Sequence, residues 1–153
     1  VDRSLYNKLI QYIHLEDIFI KDLNMSRNPV VLDDGELLEA NIKMKPVLQL
    51  ATETHLFATV TFDVATYTKE EREIFRIEFE YAAVYFIDKD AAFSEEEVNQ
   101  VGQTFVEKNV PINVWPFARE LIADLSNRMN VPRLLIGMYR YLPTDKADEE
   151  AND

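Results

Sequence analysis

Residues 110–135, VPINVWPFARELIADLSNRMNVPRLL, carry the reading on which the fold turns. Val114, Ala118, Leu121, Ile122, Leu125 and Met129 recur at intervals of three and four, the spacing that lines one stripe of a helix. The pattern predicts a long amphipathic helix over residues 114–128. Pro116 falls in its first turn, where a missing N–H removes no bond, and Asn113 just ahead offers a side-chain acceptor to the orphan backbone donors. Pro132 biases Val131 out of the helical region, so the chain should leave near Asn130.

Upstream the period changes from that of a helix to that of a strand. LIQYIHLEDIFIKDL (residues 9–23) is rich in β-branched and aromatic side chains and predicts a first strand over residues 10–22, although Leu5, Leu9 and Ile13 equally suit a short helix. Residues 24–34, with Pro29 and the Asp33-Asp34-Gly35 turn signal, read as loop. LEANIKMK (38–45) places apolar residues at even positions and polar ones at odd positions, a half-buried strand. Pro46 has no ladder donor and marks an edge position or a bulge. After a turn near residues 51–54, LFATVTFDV (56–64) alternates again, residues 69–72 read as a charged hairpin loop, and residues 74–87 form a fourth strand.

That fourth strand sets Phe75, Ile77, Phe79 and Tyr81 on one face against Arg76, Glu78 and Glu80 on the other, while its second half, AAVYFI, is apolar on both. One helix layer covers one sheet face, so the second apolar face requires another subunit or a ligand; oligomerisation is expected. Ser94 and Glu97 have the spacing of a capping box for a short helix reaching about Glu107. Four antiparallel strands followed by a long helix, without βαβ alternation or repeats, define a single α+β domain over residues 1–143. Residues 133–142 read as an extended apolar-aromatic segment and residues 144–153 as an acidic, disordered tail.

Composition narrows the function. The chain has 153 residues, 47% of them hydrophobic, enough for one core. It has no cysteine, which removes disulfides, thiol nucleophiles and thiolate metal sites and fits a reducing cytoplasm. A formal charge of −12 argues against nucleic acid, whose binding is driven by basic groups. No run is long enough to span a bilayer, so membrane insertion is not expected. The three glycines are isolated and form no phosphate-cradling loop. His14 and His55 lie on different strands with no carboxylate at ligand spacing, which speaks against a metal site or a His-based triad, and no cofactor is expected. An enzyme is the class least supported.

The pentad Pro116-Phe117-Ala118-Arg119-Glu120, preceded by Val114-Trp115, resembles the Pro-Tyr-Ala-Arg-Glu signature of the SecB family, homotetrameric chaperones that hold unfolded chains. The resemblance extends over about residues 11–135. QYIHLEDIFIKDL is similar to the family's opening strand, and EIFRIEFEYAAVYFI to the strand in which an apolar-acidic alternation gives way to a small pair, here Ala82-Ala83. It implies a SecB-like α+β fold and a dimer of dimers, with Ile77, Phe79 and Tyr81 at positions matching the assembly surface. It also implies docking of the translocase motor SecA through Asp17 and Glu78, although Lys21 and Arg76 nearby dilute the negative patch. Where the family carries a Leu-x-Pro-x-Asn-Phe motif followed by a second helix, the chain carries IGMYRY, and no second C-terminal helix is expected.

For a holding chaperone the chemistry is burial, at roughly 25 cal/mol per Å² of apolar surface covered. Phe57, Trp115, Met138, Tyr139 and Tyr141 are the candidates for contact with an unfolded polypeptide, each in competition with an ordinary core role. Arg119 and Glu120 read as a helix-surface or oligomer-interface ion pair rather than as catalytic groups, and Glu78 and Glu80 as charges that keep a sheet face soluble. The expected function is a non-enzymatic chaperone for unfolded clients in protein export. A dedicated SecB-like chaperone of a toxin–antitoxin pair, a structural adaptor domain and a lipid carrier stay open as alternatives.

Overall fold

In the computed structural model, residues 1–131 and 134 are described. The segment carrying Met138, Tyr139 and Tyr141, and the acidic tail, lie outside the described residues. The chain opens with a ten-residue helix, α1 (Arg3–Tyr12), where the sequence had weighed strand against helix. Asp2 settles the choice by accepting from the backbone N–H groups of Ser4 and Leu5, and Leu9 is fully buried on the inward side.

Four strands follow: β1 (Ile13–Arg27), β2 (Leu38–Ala51), β3 (His55–Thr68) and β4 (Glu73–Ile87). β1 therefore begins later than expected and runs through the first residues of the expected loop, because β4 supplies ladder partners as far as the Arg27–Phe75 pair. The sheet is antiparallel with order β1-β4-β3-β2, so residues 28–37 must cross from one edge to the other. Pro46 does sit on an edge strand, opposite Val60, and β2 continues past it to a register shift between Leu48 and Leu50. The hairpin loop between β3 and β4 is closed at Thr68 and Arg72, with Glu71 at φ 62°.

After β4 come a short 3-10 turn (Lys89–Ala91), α2 (Glu95–Lys108) and α3 (Val110–Arg128). Ser94 and Glu97 form the reciprocal capping box that their spacing predicts. α3 starts four residues earlier than expected: Pro111, not Pro116, takes the first-turn position, and Pro116 lies inside the helix at the cost of a bond to the Ile112 carbonyl. Asn113 is correspondingly not a cap; its amide donates to the Tyr85 hydroxyl at 2.9 Å. The helix ends as expected, with Asn130 at φ 53°. Val114, Ala118, Ile122, Leu125 and Met129 form its buried stripe.

Phe75, Ile77, Phe79, Tyr81 and Tyr85 of β4 face the helices and are buried within this chain. Phe79 stacks on Phe62 of β3 with ring centroids 4.7 Å apart, and Trp115 of α3 approaches Phe62 at 6.2 Å. α2 lies close to the sheet: a Cβ at Gly102 would stand 3.2 Å from a methyl of Leu48. β4 is an interior strand, and on its outward face Ala82 is fully buried while Val84 and Phe86 are half-buried. Of the twelve large apolar side chains exposed among the described residues, five belong to β1, an edge strand with a neighbour on one side only.

Candidate functional site

Leu15, Phe19, Ile20, Leu23 and Met25 of β1 are each 41–45% exposed. Ile20, Leu23 and Met25 sit opposite Tyr81, Phe79 and Ile77, which places them on the helix side of the sheet. There the buried β4 side chains form the floor, and Phe117 of α3, also 45% exposed, stands with its ring centroid 6.3 Å from that of Tyr81. Register shifts between Leu15 and Asp17 and between Ile20 and Asp22 let one strand present apolar residues at both parities. That irregularity is why alternation alone did not single them out.

Near the N-terminus of α3 a cleft of about 450 Å³ opens between the α1–β1 junction and the α2–α3 junction, with Ile10, Leu15 and Ile112 on its apolar walls. Its polar lining is anchored from below. Asn113 holds the Tyr85 hydroxyl, Asn109 donates to the Tyr6 hydroxyl at 2.6 Å, and Tyr85 meets Phe105 edge-on at 5.0 Å. Burial pushes the Tyr85 pKa up, opposed by the bond from Asn113. The Tyr81 hydroxyl donates to the Phe117 carbonyl at 3.4 Å; burial, and then the Glu120 carboxylate, raise its pKa.

The opposite sheet face is polar at its centre. Arg76 reaches Asp63 at 3.0 Å, Glu73 at 2.9 Å and Glu78 at 4.0 Å, and Lys21 pairs with Glu80 at 2.9 Å. Asp17 lies opposite Val84 and Glu78 opposite Asn24, so the two acids sit about 20 Å apart along the strands. They do not form one patch. Among the described residues no group of three His, Asp or Glu stands together as a metal site, and no helix is long and apolar enough to cross a membrane.

The other residues singled out from sequence are scattered. Phe57 is half-buried on the polar side of the sheet, between Leu50 and Val84, whereas Trp115 is half-buried on the helix side. Arg119 and Glu120 are exposed on α3 and, among the described residues, form no ion pair with each other, since adjacent helical residues point to different sides. Ile77, Phe79 and Tyr81 are packed against the chain's own helix layer, so any influence on assembly would pass through α3, which they support. The exposed β1 residues and the Asn109–Asn113 pair were missed; the first had a sequence signal obscured by the register shifts, the second had none.

Comparison with known proteins gives the lineage. A SecB-like chaperone of Mycobacterium tuberculosis, Rv1957, solved in complex with a ChAD peptide from the HigA1 antitoxin, superposes with a TM-score of 0.76 at 14% identity, covering 90% of this chain and 98% of its own. A protein of unknown function from Streptococcus agalactiae matches at a TM-score of 0.44 and 12% identity, over 82% of this chain and 97% of that one. No curated protein sequence matches. The family described as preprotein translocase subunit SecB matches residues 7–139, most of the sequence. This chain belongs to the SecB family.

Proposed function

We propose that this protein is a holding chaperone that keeps non-native polypeptides extended and soluble for export, by burial alone and without catalysis, in the cytoplasm. One observation, beside the family membership, carries the reading: Leu15, Ile20, Leu23 and Met25 of β1 are exposed on the helix side of the sheet, the side that also carries the exposed Phe117, on a chain of charge −12. Unfolded chains offer apolar side chains and free backbone groups together. An apolar strip next to a sheet edge takes both. Client contact is assigned to Phe57 and Trp115, with Met138, Tyr139 and Tyr141. Assembly into a dimer of dimers would bring Arg119 and Glu120 against another copy, with Ile77, Phe79 and Tyr81 setting the position of α3.

The test is light scattering of a chemically denatured enzyme diluted into buffer. Suppression by stoichiometric tetramer is the expected result; unchanged scattering overturns the reading. A second reading, a dedicated partner of one antitoxin, is favoured by the ion pairs of Arg76 and Lys21. They place cations against Glu80 and Glu78, on the sheet face through which the acidic residues would meet SecA. A gentle pull-down from the native cell separates the two: many unfolded clients support export, one abundant partner supports the dedicated role.

A further inference from the structure

The cleft beside the N-terminus of α3 is built with more care than a gap between elements requires. Asn109 and Asn113 both line it, and they are one helical turn apart, with the Asn113 N–H donating to the Asn109 carbonyl at 3.3 Å. Each carboxamide is fixed at one end by a tyrosine hydroxyl, Tyr6 or Tyr85, through its Nδ2. Neither Oδ1 has a partner among the described residues, and neither is sealed from solvent, since Thr66 alone carries a buried side-chain polar atom without a partner there. Two oriented acceptors thus stand one turn apart in a cleft with isoleucine and leucine walls.

A helical turn of four residues advances about 6 Å. Alternate residues of an extended chain, whose N–H groups point the same way, are about 6.6 Å apart. We propose that the Asn109–Asn113 pair is a main-chain reader, accepting from two alternate N–H groups of an extended client segment while the side chain between them, or one beside them, enters the space bounded by Ile10, Leu15 and Ile112. The occupant is therefore a polypeptide in strand conformation, recognised through its backbone, with an apolar residue at one position and little other sequence demand. This rests on the chaperone reading and deepens it by naming a subsite.

The probe is a fluorescein-labelled, unstructured decapeptide of glycine, serine and lysine with one central leucine, read by anisotropy against the full chain, alongside a scan of single backbone N-methylations. Each hydrogen bond removed should weaken binding about three- to tenfold. In the wild type the scan should show two sensitive sites spaced by two residues. Asn113→Ala should abolish sensitivity at one of them and Asn109→Ala at the other, while Asn113→Asp, which keeps an acceptor, should retain it. A merely structural role for the asparagines would lower affinity uniformly and leave the periodicity intact. If the variants bind the peptide normally and still suppress aggregation, the subsite is wrong and the chaperone reading stands. If the wild type neither binds the peptide nor suppresses aggregation, both fall. If the variants change the oligomeric state on size-exclusion chromatography without changing the scan, the cleft lies between copies and the proposal is overturned.

Discussion

Phe79→Ala separates a residue that holds the chain together from one that only joins copies. Phe79 is 3% exposed within the single chain, stacked on Phe62 at 4.7 Å and edge-on to Tyr81 at 5.8 Å. A buried phenylalanine removes about 150–250 Å² from water, which at about 25 cal/mol per Å² is worth about 4–6 kcal/mol. Truncations of this kind cost about 3–5 kcal/mol once the neighbours relax. With a urea m-value of about 2 kcal/mol per M, the unfolding midpoint should drop by roughly 2 M. The assay is equilibrium unfolding followed by tryptophan fluorescence and far-UV circular dichroism, at two protein concentrations tenfold apart. A residue that acted only between copies would lose little at the higher concentration, where the assembly is saturated. A shift below about 0.5 M there would refute the placement of Phe79 in the core.

Three further outcomes follow from the packing and the titrating groups. Tyr81 and Tyr85 have raised pKa values in the fold, so their contribution is fully present below the ordinary tyrosine value near pH 10 and is lost as pH rises through the raised folded values; urea midpoints should fall in that range, and less steeply in Tyr85→Phe. Glu97 is the opposite case, its pKa lowered mainly by the Ser94 backbone N–H. Its share of the α2 cap should persist above the ordinary carboxylate range and disappear as pH falls below it, visible as faster amide exchange in the first turn of α2, and Ser94→Ala should cost about 0.5–2 kcal/mol at neutral pH in chemical unfolding. Gly102→Val should destabilise by about 1–3 kcal/mol in thermal unfolding, because its first added carbon already stands 3.2 Å from Leu48 and the next ones meet Leu48 and Leu56; an unchanged Tm would show that α2 has room to move.

The elements whose identity depends on local pattern were legible. Alternation located β2, β3 and β4, the Ser94–Glu97 spacing located the start of α2, and the stripe from Val114 to Met129 located the buried side of α3. What depended on choices between equal local options was not. Two prolines competed for the first turn of α3, and the nearer one to Asn109 won. Leu5 and Leu9 suited helix or strand until Asp2 was seen to cap. Strand order is a long-range matter: nothing in residues 13–27 says that their partner is β4 rather than β2. From that order it follows that β1 is an edge strand, whose apolar side chains stand more exposed than those of the interior β4. The asparagine pair was invisible because its meaning lies in Tyr6 and Tyr85, residues far away in the chain.

The pairing of the first strand with the last has a consequence during synthesis. Arg27 finds its partner in Phe75, and Ile13 must wait for Ile87, so β1 emerges from the ribosome well before any strand it can join. At about 5–20 residues per second the delay is several seconds. Throughout it, a stretch with leucine, isoleucine, phenylalanine and methionine stands unpaired, in the same condition as the non-native chains proposed above as clients. The β3–β4 hairpin has no such wait, and is the natural template onto which the early strand zips once translation has passed it.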